Sequence, residues 1–545
     1  MSTAANLRGA VLVALLALGA LGPPIVGREL MPPDEPRFAL VGRAMYRSGD
    51  PVVLHRGGML YTDKPPLLFW LQAAAFRIAG GTPEWAARLP PLLATLLLVL
   101  ALESFARRRL GERGAGLRVA AVFVSSSLVI QRGAWVATDA LLACATFGAV
   151  VLADAWRARR GARLEALAGL ALGAGLLAKG PVALVYVLLA SLAGRFSGTG
   201  LVPLRPFARP AALAVLVLVT LPWVIAFGLR EGWSTLAGTL WKQNAQRYLA
   251  SWDNIEPWWY FGPSLVLGLL PWSLPALGAL AGRARRALAD EPAARWAAWW
   301  VGLALVFFSI PHGKRGVYLL PCWPALALVT ERLLARALSG DGPSRRAAAA
   351  AAFVFSAVVL GLATAVGLAG RPLPPGLAGL PEVRRGAVAL LLLVCLGSLV
   401  LGWGLAARRR LAFAGPAGMA LGLGLLAPWL FTPALNAAQA ARAFGAAARA
   451  AIPGSAPVAC GRKKWELVEW YGDLGSRLVP RRDLLLSHLE GPPPRAIVIT
   501  ADAAPPLRDC PPGTREALRG RIGRVPLVVL VRGPAAGPPP PEGGP

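Results

Sequence analysis

Residues 31–71 read MPPDEPRFALVGRAMYRSGDPVVLHRGGMLYTDKPPLLFWL, which puts Asp34, Glu35, Asp63 and Lys64 in a stretch too polar to span a bilayer. A carboxylate at the mouth of a membrane site can serve as a general base. A lysine at a helix start on the membrane surface suits a phosphate. Both features also have plainer readings. ProAspGluPro before residues 37–46 fits the start of a short interfacial helix with acids in its first turn. Lys64 fits a side chain reaching for lipid headgroups. Pro65 makes Lys64 extended and permits a helix to begin just after it.

Other charged residues mark the edges of apolar runs. Asp139 opens one after TrpValAlaThr, where an acid at a helix N-terminus is favourable in itself. Lys179, in Lys-Gly-Pro, divides two runs and fits a loop marker equally well. The loop at 241–260, WKQNAQRYLASWDNIEPWWY, combines an aromatic belt with Arg247, whose guanidinium is a good phosphate fork. Lys314 and Arg315 precede Tyr318 and add cations.

The elements holding these residues are membrane helices. The chain has 545 residues, of which 56% are hydrophobic, and a mean hydropathy of +0.54. Repeated apolar runs predict a polytopic α-helical membrane protein of about thirteen spans. They begin at residues 10, 89, 117, 139, 164, 181, 211, 259, 296, 317, 347, 388 and 411. The first resembles a signal peptide but is read as a retained helix, because many spans follow it. The net charge of +29 reads as topology rather than nucleic-acid binding, since most arginines sit in short clusters between runs.

These clusters, such as Arg107–Arg109, Arg283–Arg286 and Arg408–Arg410, define a cytoplasmic set of loops. The alternate loops hold Asp34, Glu35, Lys64, Asp139, Lys179, Arg247 and Lys314, so the rare edge charges converge on the extracytoplasmic face. The expected division is a membrane domain over 1–431 with an outer loop at 27–88, a small periplasmic α/β domain over 432–533, and a disordered tail at 534–545. An amphipathic helix is expected at 434–451, with strands at 495–500 and 525–531. Cys460 and Cys510 could pair if this part is extracytoplasmic. No cysteine–histidine spacing suggests a metal, and no cofactor is expected.

Carboxylates and cations on one face suit transfer of a group from an anionic, lipid-linked donor: cations stabilise the leaving phosphate and a carboxylate deprotonates the acceptor. No P-loop, GxSxG, HExxH or dinucleotide fingerprint is present. The competing class, a transporter or flippase of lipid-linked saccharides, predicts charges near helix centres and internal repeats; the charges here lie at helix ends.

The motifs AspGluProArgPhe (34–38), SerGlyAspProValValLeu (48–54), TyrThrAspLysProProLeuLeuPheTrpLeu (61–71), AlaAlaArgLeuPro (86–90), ThrAsp (138–139), AlaLysGlyPro (178–181), AsnAlaGlnArgTyr (244–248), LeuProTrp (270–272) with Ser273, and LysArgGlyValTyrLeuLeuPro (314–321) occur in order. Together they resemble the aminoarabinose-transferase branch of the protein mannosyltransferase-like glycosyltransferases, which have the GT-C fold. The resemblance runs from the first helix to about residue 330; beyond it only the hydropathy and a small outer domain match.

The resemblance implies an inverting transferase of the bacterial inner membrane. It would use an undecaprenyl-phosphate sugar on the periplasmic face, with lipid A, another envelope glycan or a protein as acceptor. Carried over, Asp34 is the catalytic carboxylate with Glu35 beside it, and Asp139 is the second acid. Lys64 and Arg247 bind the lipid phosphate, and Tyr61 and Tyr318 line its pocket. Lys314 and Lys179 join the donor-phosphate set, with Asp63 and Arg88 as further candidates. Asp63 stands where the family commonly has Glu, and Arg-Gly-Val separates Lys314 from Tyr318.

Overall fold

The computed structural model describes residues 3–246, 248, 254–340, 342–369, 381–479 and 481–533. Among these, eight helices are long and apolar enough to cross a membrane; the number is nine if Trp258–Gly268 and Ser273–Leu280, bent by 107°, make one broken span. The other runs expected to span are shorter or more polar helices: Ala115–Ser125, Ala162–Lys179, Val182–Phe196 and Pro292–Ser309. The protein is thus a multi-span helical membrane protein.

The run expected from residue 117 to 130 is interrupted at three consecutive serines. Ser126 is extended, which separates Ala115–Ser125 from Ser127–Arg132. The Trp272 indole donates to Ser125 Oγ and the Trp323 indole to Ser126 Oγ, each at 2.8 Å. The Ser127 N–H donates to the Leu270 carbonyl at 3.0 Å. Membrane-embedded backbone tolerates such a break where protein groups replace the lost helical bonds. The same tryptophans belong to the main core, with Phe105, Phe147, Trp296 and Trp300.

The helices order their polar ends. Asp139 opens Asp139–Ala158 and Lys179 closes Ala162–Lys179. Tyr318 lies near the start of Gly316–Ser339. Arg107–Arg109, Arg157 and Arg336 occupy the opposite ends of such helices.

Residues from Val458 onward build a five-stranded sheet in the order Arg477–Leu478, Val458–Cys460, Arg495–Thr500, Val525–Arg532, Thr514–Ile522. The first two pairings are parallel and the last two antiparallel. Thr514–Ile522 was invisible in the hydropathy because it is a charged edge strand, and a bulge interrupts it between Glu516 and Leu518.

The single helix expected at 434–451 is instead two, Thr432–Gln439 and Ala441–Ala451, with Ala440 left-handed between them. Tertiary bonds favour the break. Glu29 accepts from the N–H groups of Ala441 and Arg442, and Gln439 donates to the Leu30 carbonyl. Cys460 and Cys510 are both free thiols. The expected tail at 534–545 lies outside the described residues.

The sheet is fused to the polar stretch after the first helix. Phe38, Tyr61, Phe69 and Phe76 pack in one core with Phe444, Trp465, Trp470, Val498 and Val529. Arg43, buried beneath, donates to the carbonyls of Trp470 and Glu469, each at 2.9 Å, and to Glu469 Oε1 at 3.2 Å.

Candidate active site

Helix Asp34–Ser48 starts directly at the two acids, with Pro33 before them. Consecutive helical residues differ in direction by about 100°, and the two carboxylates diverge. Asp34 faces a cavity of about 1010 Å³. Glu35, fully buried, faces the bundle. Arg88 grips Glu35 at 3.0 and 2.8 Å and also donates to the carbonyls of Ile25, Arg28 and Glu29. Arg28 and the N–H groups of Met31 and Val136 complete the shell around the carboxylate. Burial pushes the Glu35 carboxyl up, but Arg88 and Arg28 pull harder and hold it below its ordinary value. Glu35 and Arg88, both expected at the site, thus lie outside the cavity wall and form an anchor that fixes the first turn of the helix.

Asp34 Oδ2 accepts from Arg315 Nη2 at 2.6 Å, and Oδ1 accepts from Arg37 Nη2 at 3.0 Å. Burial raises its carboxyl, but the Arg315 guanidinium, helped by Arg37 and Arg132, outweighs it and keeps Asp34 below the usual carboxylate range. In the same lining Lys179 Nζ donates to Asp139 Oδ1 at 2.5 Å and sits 5.1 Å from the Tyr318 ring centre. Gly180, at φ +80°, ends the Lys179 helix and lets Pro181 start the next, so the lysine is held at the rim.

Lys64, Asp63 and Tyr61 line the cavity on the segment after the short hairpin of His55–Arg56 and Met59–Leu60. Lys64 Nζ donates to the Asp63 carbonyl at 2.7 Å, and helix Leu67–Ile78 follows Pro66. The buried Tyr61 hydroxyl and the buried Arg37 Nε have no hydrogen-bond partner among the described residues. Both residues line the cavity. Burial drives the Tyr61 hydroxyl well above its ordinary pKa, so it stays a proton donor.

Of the remaining expected residues, Tyr318 lines the cavity, and Arg247 falls outside the described residues. Lys314, also expected at the site, lies outside the cavity wall. It is 3% exposed, and its ammonium donates to the carbonyls of Pro311 at 2.5 Å and Glu256 at 3.0 Å, fastening two loops together. Burial lowers its pKa, against the attraction of Glu256. Arg315, its neighbour, reaches Asp34 instead. Its backbone is extended, at φ −140° and ψ 134°, and successive side chains of extended backbone point to opposite sides. Arg37, Arg56, Lys242 and Arg462 also line the cavity and were not singled out from the sequence. Arg462 comes from the sheet domain, a placement no local pattern reveals.

The rest of the lining is largely apolar, with Val182, Val185, Trp223, Phe227, Phe307 and Phe308. A charged end beside an apolar wall suits a ligand with an anionic head and a greasy tail. Among the described residues no three metal-ligating side chains cluster.

Residues 63–226 match the family model described as dolichyl-phosphate-mannose-protein mannosyltransferase. The undecaprenyl phosphate-alpha-4-amino-4-deoxy-L-arabinose arabinosyl transferases of Pectobacterium carotovorum and Edwardsiella ictaluri are each 31% identical to this chain, over 351 and 337 residues. These matches cover 63% and 59% of this chain, and the chain spans 61% and 59% of those relatives' lengths. The crystal structure of ArnT from Cupriavidus metallidurans bound to undecaprenyl phosphate matches at a TM-score of 0.77 and 20% identity, covering 97% of this chain and 98% of that one. The apo form of the same protein matches at 0.73. The chain therefore carries the GT-C membrane fold of that transferase.

Proposed function

We propose that the protein is an integral-membrane glycosyltransferase that moves a sugar from undecaprenyl phosphate to lipid A, another envelope glycan or a protein, with inversion. The observation that carries this reading is one cavity holding two acid–cation pairs, Asp34–Arg315 and Asp139–Lys179, beside the unpartnered Arg37 Nε and Tyr61 hydroxyl. These free donors suit the phosphate of a lipid-linked donor, and the apolar wall suits its tail. The curated relatives are named for a donor of that kind.

In the proposed step the bond from the anomeric carbon to the phosphate oxygen breaks. The acceptor oxygen bonds the same carbon from the opposite face. The electron pair leaves with the phosphate, where Lys64, Arg37, Arg56 and Arg247 offset its charge. The acceptor hydroxyl's proton passes to Asp34. With Arg315 attached, Asp34 is a weak base; an arriving phosphate competes for Arg315 and Arg37 and so strengthens it. Asp139 holds Lys179 toward the phosphate. The reaction needs no metal in this scheme, because the cations do that work.

We assign the active face to the periplasm of the inner membrane, with the arginine-rich ends in the cytoplasm beside anionic lipid. Counting the four shorter helices with the nine longer ones supports about thirteen spans. Residues 1–431 are taken as the catalytic membrane domain and 432–533 as the periplasmic one. The transporter reading draws no support from the broken span, since neither Trp258–Gly268 nor Ser273–Leu280 lines the cavity.

The test is transfer in proteoliposomes supplied with an undecaprenyl-phosphate sugar and lipid A, with the product read by mass spectrometry. Asp34→Asn should lower the rate by about 100-fold or more. Undiminished transfer by that variant, or translocation of intact donor without transfer, refutes the reading.

A further inference from the structure

At the face opposite the active cavity lies a second hollow, of about 380 Å³. Arg118, Arg332, Arg336, Arg408 and Arg410 line it, against the carboxylates of Glu112 and Glu291. It is joined to the active cavity by one helix: Tyr318 is at the start of Gly316–Ser339, and Arg332 and Arg336 are near its end. At 1.5 Å per residue the two sites are about 25 Å apart.

The hollow has a buried floor and an open rim. In the floor, the fully buried Glu331 accepts from Arg118 Nε at 2.6 Å and from Arg332 Nε and Nη2 at 2.5 and 2.7 Å. These bonds hold two guanidiniums in place. Above them Glu112 is shared by three arginines, Arg118, Arg332 and Arg410, each at 3.0 Å. Glu291 also accepts from Arg332 Nη1 at 3.4 Å, and Asp290 lies 3.7 Å from Arg336, so four carboxylates meet the five arginines of the lining. Arg118 Nη2 is buried and, though 3.0 Å from Glu112, makes no well-aligned hydrogen bond. At the rim Arg336 and Arg410 are mostly exposed. Positive charge exceeds negative, and donors exceed acceptors.

The surroundings point to the source of the missing anion. Residues Arg408–Arg410 join two apolar spans, Val383–Ala406 and Arg410–Leu430. Beside them Arg409 stacks on the half-exposed Trp403, and Leu411 is exposed. Aromatic and cationic side chains at the ends of spans lie at the level of lipid phosphates, and basic pockets between spans take anionic headgroups.

We propose that this hollow is a binding site for the phosphodiester headgroup of an anionic phospholipid from the adjoining leaflet, separate from the substrate cavity. The headgroup's anionic oxygens complete the arginine shell that these carboxylates leave unsatisfied, Arg118 Nη2 included. The lipid thereby joins Arg410, between the last two spans, to Arg332 on the helix that reaches the active cavity.

The test uses the full-length protein in nanodiscs of equal parts phosphatidylglycerol and phosphatidylcholine. Lipid retained after mild detergent extraction is counted by native mass spectrometry. The protein should keep phosphatidylglycerol preferentially, and Arg336→Ala with Arg410→Ala should reduce that preference by roughly tenfold or more. Both side chains are exposed, so the fold should survive. Arg159→Ala with Arg195→Ala, exposed on the same face but away from the hollow, should leave the preference intact. Equal loss in both pairs means general surface charge and overturns the proposal, as does no loss in the first pair. Free glycerol phosphate that displaces the retained lipid supports a headgroup site. Thermal protection by free phosphate without any lipid preference overturns it.

Discussion

Arg315 Nη2 lies 2.6 Å from Asp34 Oδ2, so the most buried acid of the cavity lining is neutralised by a residue 281 positions away. The pair keeps Asp34 ionised well into the acid range. Removing the guanidinium lets burial dominate and raises the Asp34 carboxyl. Arg315→Ala should therefore move the acidic limb of the kcat/KM profile to higher pH, while Arg315→Lys should leave it near the native position. Rate–pH curves in proteoliposomes decide this; an unmoved limb in Arg315→Ala would show that Asp34 does not set it.

Asp139 and Lys179 should behave as a unit. Each single change, Asp139→Asn or Lys179→Ala, should slow transfer, and the double variant should lose less than the sum. A double-mutant cycle on kcat/KM should return a coupling of about 1 kcal/mol or more. Additive losses would argue that the 2.5 Å contact has no part in the reaction.

Glu35 should matter for stability rather than chemistry. Arg88→Ala leaves its carboxylate buried without its main partner and should cost about 3–5 kcal/mol, seen as a lower Tm and poor yield in detergent. The folded carboxyl is held below its ordinary value, so its contribution is present above the unfolded value of about 4.3 and lost as pH falls through the folded one. A native Tm that drops in this acid window, with a flatter fall in Glu35→Gln, is the expected pattern.

Arg43 ties the sheet domain to helix Asp34–Ser48 through three hydrogen bonds. Arg43→Ala should loosen that docking, and limited proteolysis should release a C-terminal fragment faster than from the native protein. Arg462 reaches the cavity wall from the same domain, so Arg462→Ala should leave docking intact and raise a substrate KM severalfold. A rise for the donor would place Arg462 at the phosphate, a rise for the acceptor would place it at the acceptor, and no rise for either would remove it from binding.

Much of the site was legible because charge is rare in so apolar a chain. Asp34, Lys64, Asp139 and Lys179 each stand beside a proline or at the edge of a run, and all four line one cavity. Two choices between neighbours were beyond local reading. Asp34 and Glu35 differ by the phase of one helix, whose start had to be known to the residue. Lys314 and Arg315 differ by the alternation of a short extended segment, and the flanking Gly313 and Gly316 hide that conformation. Arg37, Arg56 and Arg462 reach the cavity through tertiary contacts with no sequence period. The broken run at 117–130 shows the same limit, since three serines read as apolar enough until the indoles of Trp272 and Trp323 are seen bonding to two of them.

The cavity wall contains both Pro33 and Arg462. Its first residues leave the ribosome early, and its last follow after every membrane span has been made. A nascent chain stalled before residue 462 would hold its spans in the bilayer with the cavity unfinished. The shape of the cavity thereby depends on the sheet domain as well as on the spans, and its wall is complete only when both are in place.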